Sequence, residues 1–290
     1  MLCNIKVTKG SHPVELTYDG DGLRIDGDFN AHKKAKLQRV CGCIPLPPPK
    51  NLFDPTLLPI GNTHLLQVFF DNTTHTIHIH ALIPTSPDQD QSPLELYQFR
   101  YTVAIGQEQA CGDFCTEVMG GAYQGTAMKK RLKVLVNPCG GQGKAKQIFE
   151  TKVQPLFEVA KCTVDVQYTE YQGHAIQIAQ DLDLEAYDTI VTVSGDGVIH
   201  EVINGLLQRS SGGLLPIGVI PGGTGNALSI CLLGEQAGFD PMAAALQIIK
   251  GRPLALDLCS VTFDDHRYFS FLSQNYGITS YADLGTENMR

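Results

Sequence analysis

Three glycine-rich stretches each follow an apolar run and open a helical pattern, and together they limit the fold more than any other feature of the chain. They are Asn137-Pro-Cys-Gly-Gly-Gln-Gly-Lys144 after Leu132–Val136, Ser194-Gly-Asp-Gly197 after Thr189–Val193, and Pro221-Gly-Gly-Thr-Gly-Asn226 after Ile217–Ile220. A short, nearly unbroken apolar run reads as a strand buried on both faces, which arises when helices cover both sides of a parallel sheet. Helical patterns fill the intervals. Lys144–Ala160 sets Ile148, Phe149, Val153, Leu156 and Phe157 at helical spacing, and His174–Leu182, Val198–Gln208 and Asn226–Leu233 follow. Thr163–Tyr168 is a fourth strand. Asp240–Lys250 is a last helix, with Asp240 as N-cap, Pro241 at its first position and Gly251 past its end. Residues 129–251 therefore predict an α/β unit built on a doubly wound parallel sheet, with all three loops at the carboxyl edge of the strands, where such sheets bind ligands. Glycine lets backbone N–H groups approach an anion, and a helix N-terminus favours negative charge. A phosphate or nucleotide site is expected there.

The flanking regions read differently. Residues 1–128 are poor in helical periodicity and rich in short strand-like runs. Val14–Tyr18 and Leu23–Ile25 flank Asp19-Gly-Asp-Gly22 as a hairpin, Leu65–Phe70 and Thr76–Ile83 flank Asp71-Asn-Thr-Thr74 as a second, and Leu96–Ala104 is a further strand. Pro45-Leu-Pro-Pro-Pro49 and Thr85–Ser92 interrupt them, and a small β-rich domain is expected. In residues 252–290, Leu254–Phe263, the turn Asp264-Asp265 and Tyr268–Leu272 form a hairpin pattern followed by a further extended stretch. These are read as the first strands of an incomplete β domain.

The 290 residues are 43% hydrophobic and 18% charged, a globular composition, and their net charge of −8 argues against a nucleic-acid partner. No apolar run reaches membrane-spanning length, the opening MLCNIKVTKG lacks a signal-peptide layout, and no lipidation box is present. Nine irregularly spaced cysteines read as reduced thiols, so a cytoplasmic protein is expected. His64, His75, His78 and His80, and the pairs Cys41/Cys43 and Cys111/Cys115, have no partners at ligand spacing, and no metal site is expected from them.

Two familiar phosphate motifs do not fit. A Walker loop fails because Ala145 follows Gly143-Lys144 and Pro138 stands at the earlier glycine position. The GxGxxG pattern fails from Gly141, Gly195 and Gly223, whose third positions hold Lys146, His200 and Leu228. The stretches "VLVNPCGGQGKA", "TEYQGHA", "VSGDGVIHEVINGL" and "IPGGTGNALS", in that order, instead resemble the diacylglycerol-kinase-type lipid kinases, and among them the sphingosine (sphingoid long-chain-base) kinases. The likeness spans about residues 129–251, weakens towards 290 and includes the linker "GGAYQGTAMKKRLKVLVNP".

The resemblance implies ATP and Mg²⁺ as cofactors. It implies that Asn137, Pro138, Cys139, Gly140, Gly141 and Gly143 form a first nucleotide loop, Thr169, Glu170, Tyr171, Gln172 and Gly173 a second, and Gly223, Thr224 and Gly225 a third. Glu201 and Arg290 are implied to serve the nucleotide too. Ser194, Gly195, Gly197 and Asp283 are implied to contact the lipid, and Asp196 to be the base that takes the proton of its primary hydroxyl. The chemistry agrees: a carboxylate between two glycines at a helix start is accessible to a hydroxyl. The plain alternative is that Asp196 caps the helix at Val198. Glu201 has its own alternative, complementing the helix dipole, and Lys144 either neutralises phosphate or is merely solvated. His174 and His200 read as structural hydrogen-bonding groups. Where the family pattern has a first Asp, this chain has Tyr281. Asp283 alone is kept, and a carboxylate suits the ammonium of a sphingoid base.

The expected activity is phosphorylation of the primary hydroxyl of sphingoid long-chain bases by a protein peripherally associated with intracellular membranes. A pleckstrin-like (PH-like) module in residues 1–128 would serve that docking. Three alternatives stay open: diacylglycerol or ceramide as acceptor, a non-catalytic nucleotide-binding fragment, and a soluble-substrate kinase sharing the Gly-Asp-Gly element. Oligomeric state is left open by the sequence.

Overall fold

Alternating inward side chains build the first sheet. The computed structural model describes residues 2–27, 39–40, 44–45, 59–85, 92–140, 142–272 and 277–286. Its first strands are β1 (Cys3–Lys9), β2 (His12–Tyr18) and β3 (Gly22–Asp26). A two-residue ribbon, β4 (Arg39–Val40) with β5 (Ile44–Pro45), stands apart from the sheet. Then come β6 (Ile60–Gly61), β7 (Leu65–Asp71), β8 (Thr76–Pro84) and β9 (Leu94–Val103). Seven of these form one antiparallel sheet in the order β6-β3-β2-β1-β9-β8-β7. Both expected hairpins are present, and Val14, Leu16, Tyr18, Ile77, Ile79 and Ala81 all point into the core.

One element departs from the reading of this region as poor in helix. Helix α1 (Glu108–Ala122) follows β9 and packs on β7 and β1. Its buried face is Cys111, Phe114, Cys115, Val118 and Ala122, a helical repeat carried largely by small, weakly apolar residues. Gly112, Gly120 and Gly121 lower its intrinsic propensity, and burial against the sheet overrides that.

The second sheet is all parallel: β10 (Arg131–Val136), β11 (Thr163–Tyr168), β12 (Thr189–Ser194) and β13 (Ile217–Pro221), in the order β11-β10-β12-β13. Helix α2 (Ala145–Ile148) passes through a π-turn (Phe149–Val153) into α3 (Gln154–Val159). The others are α4 (His174–Asp181), α5 (Asp196–Leu207), α6 (Ala227–Leu233) and α7 (Pro241–Lys250). Leu132, Val134 and Val136 pack with Phe149, Phe157 and α7, whereas Leu135 and Ile190 pack with α4 and α5. Helices thus cover both faces, as expected, and the winding reverses between β10 and β12. Asp240 caps α7 by accepting the Met242 N–H at 2.9 Å.

The two sheets share one core, an apolar cluster that continues from Ile5 through Val118 to Ile249. Polar contacts cross the same seam. Lys250 Nζ donates to Ala122 O at 2.8 Å and Asn62 O at 3.3 Å, and sits 3.5 Å from the centre of the Tyr123 ring. Thr126 Oγ1 donates to Gly251 O at 3.4 Å in the opposite direction, and beside the seam the Tyr123 hydroxyl donates to Leu66 O at 2.9 Å within the first region and Lys130 Nζ to Ile248 O at 2.8 Å within the second. The Tyr18 hydroxyl, 2.9 Å from Gly20 O and 3.1 Å from Asn62 Oδ1, lies where any side chain at Gly121 would have to be.

Beyond α7, β14 (Cys259–Phe263) and β15 (His266–Ser270) form the expected hairpin around Asp264-Asp265. The stretch expected to be extended is helical instead: α8 (Ile278–Thr286) starts after Gly277, whose carbonyl accepts the Tyr281 N–H. Ile278, Tyr281, Ala282 and Gly285 recur at helical and not alternating spacing. Among the described residues no helix is long and apolar enough to cross a membrane.

Candidate nucleotide and acceptor site

The loops after β10, β12 and β13 meet through backbone. Asn137 N–H donates to Val193 O at 3.1 Å, which carries the β10–β12 pairing one residue into the first loop. There Asn137 Oδ1 accepts the Cys139 N–H at 3.0 Å and Gly143 N–H donates to Gly140 O, folding Pro138, Cys139 and Gly140 into a tight turn. Gly141 lies outside the described residues. Lys144 Nζ donates to Gln142 Oε1 and is exposed.

The loops after β12 and β13 touch so closely that glycine is obligatory. A Cβ on Gly195 would lie 2.7 Å from Gly225 O, and one on Gly223 would overlap the backbone of Gly195. Gly222 N–H donates to Ser194 O at 3.0 Å, and a Cβ there would reach within 3.3 Å of the Ala145 Cβ that opens α2. The second and third loops therefore touch directly, and the first borders them through Asn137 and Ala145 at the point where the sheet winding reverses.

Asp196 sits at the centre of that contact. Its N–H donates to Gly225 O at 3.1 Å, while Oδ2 accepts the Ala227 N–H at 2.8 Å and Oδ1 the Leu228 N–H at 3.1 Å. The alternative reading of Asp196 as a cap is thus partly realised, with a difference: α5 begins at Asp196 itself, and the carboxylate caps α6 across the cleft. Two N–H donors fix both oxygens and leave further lone pairs for a ligand. Ser194 is buried with its hydroxyl on Gly195 O, and Gly197 is exposed beside it. Asn226, not singled out from sequence, closes the third loop by bonding Gly223 twice, N–H to Oδ1 at 3.2 Å and Nδ2 to O at 2.8 Å. Among the described residues the N–H groups of Thr224 and Gly225 meet no acceptor, and both residues are exposed.

The stretch Thr169–Gly173 follows β11 at the same sheet edge. Thr169 N–H donates to Val136 O at 2.9 Å, which ties it beside the first loop. Glu170 N–H donates to His174 Nδ1, the Tyr171 ring stacks on His174 with centres 4.6 Å apart, and Gln172 is exposed. Gly173 precedes α4 at a φ of 89°. Glu201 Oε2 accepts the Ala175 N–H at 3.1 Å, so this side chain of α5 caps the start of α4 and braces the loop before it. His174 bonds structurally, as expected, and His200 lies 3.3 Å from Asn204 Nδ2. Asp283 falls within α8, but its side chain and all of Arg290 lie outside the described residues.

Comparison with known proteins bears on the same region. Residues 131–261 match the diacylglycerol kinase catalytic domain. The chain is 43% identical over 180 residues to sphingoid long chain base kinase 4 of Schizosaccharomyces pombe, covering 61% of this chain and 39% of the relative. It is 41% identical over 186 residues to sphingoid long chain base kinase 5 of Saccharomyces cerevisiae, covering 61% and 27%. Human ceramide kinase is 34% identical over 175 residues, covering 55% and 31%. The chain therefore spans well under half the length of these relatives. Residues 131–261 are thus similar to the diacylglycerol kinase catalytic domain, and the chain is similar over 180 and 186 residues to these two sphingoid long chain base kinases.

Proposed function

We propose that this chain holds the nucleotide site of an ATP-dependent lipid kinase that phosphorylates the primary hydroxyl of sphingoid long-chain bases. The observation that carries the reading is the backbone junction of Gly195, Gly223 and Asp196. It sets the loop that carries the exposed Thr224 and Gly225 N–H groups against one fixed carboxylate at the sheet edge. Such a cradle fits the phosphates of ATP, which when bound supplies the phosphoryl group. The loop of Asn137–Gly143, the N–H groups of Thr224 and Gly225, and the brace of Glu201 on Thr169–Gly173 would hold and orient it. Asp196 accepts the proton of the acceptor hydroxyl on a carboxylate oxygen already aligned by Ala227 and Leu228. Among the described residues no three metal-ligating side chains stand together, so Mg²⁺ would be held mainly through phosphate oxygens and water, with Asp196 as the carboxylate at the junction. Asp283 would pair with the amine of the base.

The reading divides the chain into residues 1–128, 129–251 and 252–290. A seven-stranded antiparallel sheet followed by one helix is the element content of a PH-like module, and it supports peripheral docking at a membrane.

The test is transfer of label from ATP to sphinganine, with ceramide and diacylglycerol beside it and Asp196→Asn as control. Label on sphinganine is expected, reduced about 100-fold or more in the variant. Because Asp196 also holds α6, nucleotide binding is measured in parallel by thermal shift and should persist. Label on ceramide or diacylglycerol alone replaces the acceptor. No label on any lipid, with Mg-ATP still raising the melting temperature, overturns the kinase reading in favour of a nucleotide-binding fragment.

A further inference from the structure

Among the described residues, the hydrogen bonds between the hairpin β14–β15 and the α/β unit come from one side chain. Asn204, on α5 and 1% exposed, sets its amide against the backbone of Phe269 in β15. Its Nδ2 donates to Phe269 O at 2.9 Å, and its Oδ1 accepts the Phe269 N–H at 2.9 Å. This pair copies the two hydrogen bonds one strand residue offers another. The remaining Nδ2 hydrogen is directed to His200 O, 2.9 Å away on the preceding turn. The buried amide is thus fully used, and each of its bonds is expensive to lose. Around it the apolar support is small: Ile199, Ile203 and Val219, with Leu207, Leu258, Phe269 and Phe271 packed partly against them.

Asn204 and Asp196 share helix α5. We infer that Asn204 is a positioning residue: it sets the register of the C-terminal segment against the helix that begins with Asp196, and so fixes how the acceptor is presented to that carboxylate. The geometry favours register over mere adhesion. An apolar contact lets a strand slide along a helix, whereas an amide matched to one residue's N–H and C=O accepts a single alignment. The functional half of this inference rests on the kinase reading; the structural half does not.

The experiment uses two variants of the whole chain. Asn204→Asp keeps shape and the acceptor for the Phe269 N–H, but sets an oxygen against Phe269 O. Asn204→Leu removes both bonds. Hydrogen exchange should show lost protection across residues 259–270 in both variants, with β10, β12 and β13 unchanged. Mildly acidic buffer, which protonates the new carboxyl and restores a donor, should recover protection in Asn204→Asp and not in Asn204→Leu. In transfer assays the KM for sphinganine should rise roughly tenfold while the KM for ATP stays within about twofold. Unchanged exchange in the hairpin overturns the inference, as does a parallel rise of both KM values. If wild type labels no lipid, the kinase reading fails alone, and exchange with its acid recovery decides the pin.

Discussion

The α/β unit is joined to its neighbours by two seams that use the same device at different depths. In each, a side chain bonds backbone carbonyls of the adjoining element. At the N-terminal seam the device is repeated and sealed. Lys250 reaches across to two carbonyls, Ala122 O and Asn62 O, Thr126 Oγ1 reaches back to Gly251 O at 3.4 Å, and the apolar cluster around them runs without a break from the antiparallel sheet to α7. At the C-terminal seam there is one amide and a small apolar cluster, and the hairpin leaves Phe263 73% and Tyr268 48% exposed. Sealing makes the antiparallel sheet and α1 one platform with the parallel sheet that bears the glycine loops. The single pin makes the hairpin an attachment whose placement is set by direction more than by buried area.

The comparison breaks most sharply at Lys250. Lys250→Ala removes the stem from beneath the Tyr123 ring and leaves Ala122 O and Asn62 O without their donor. A loss of about 3 kcal/mol is expected from cavity and orphaned carbonyls together. Denaturation should remain one transition, shifted down by about 5–10 °C. Two separate transitions would show that the antiparallel sheet and the parallel sheet fold independently, and the platform description would have to go.

What was legible from sequence follows the same division. The strands and helices of residues 131–250 fell close to their expected bounds, because doubly buried strands are long apolar runs and the glycine loops mark their ends. Helix α1 was missed because Cys111, Cys115 and Ala122 carry much of its face and three glycines interrupt it. Gly121 is present for a neighbour, the Tyr18 hydroxyl, that no local pattern announces. At the site the loops were visible and their partnerships were not. Asp196 and Ala227 are distant in sequence, so the capping of α6 by the proposed base could be found only in three dimensions. The same holds for Asn204, which reads as one more polar residue in "VSGDGVIHEVINGL" until Phe269 is set against it.

Protonation sharpens the contrast, since buried titratable groups sit at one seam. Burial pushes the Lys250 ammonium from 10.5 down to about 7, and the carbonyls of Ala122 and Asn62 offset part of that cost. Burial also lowers the nearby His64 imidazole, aided by the Lys250 charge. Above pH 7 the unfolded chain keeps a proton on this lysine that the folded chain has released, so stability rises with pH. The gain ends near pH 9. There Cys162, pushed by burial from 9.0 to about 11, stays protonated in the fold while the unfolded thiol ionises, and Tyr123, also raised by burial, acts in the same sense at higher pH. The melting temperature should therefore climb between pH 7 and 9 and flatten beyond. Lys250→Met, which keeps the stem, should abolish the climb. A climb that survives this substitution assigns it to another group.

The smallest expected effect lies beside the N-terminal seam, where Tyr123, whose ring seats Lys250, is held to β7 by one bond. Tyr123→Phe deletes the hydroxyl that donates to Leu66 O and leaves the ring over which Lys250 sits. Leu66 O then lies buried without this donor, so about 1 kcal/mol should be lost, read as a small fall in denaturation midpoint with an unchanged slope. The hairpin at the other seam offers the reference. There the loss of one amide is expected to free the whole of β14–β15, whereas here the loss of one hydroxyl should leave exchange protection in β7 and α1 intact. If β7 or α1 opens in Tyr123→Phe, the support of the N-terminal seam hangs on one bond and the two seams are equally fragile. The distinction between platform and attachment would then rest on sealed area alone, with no redundancy of bonds behind it.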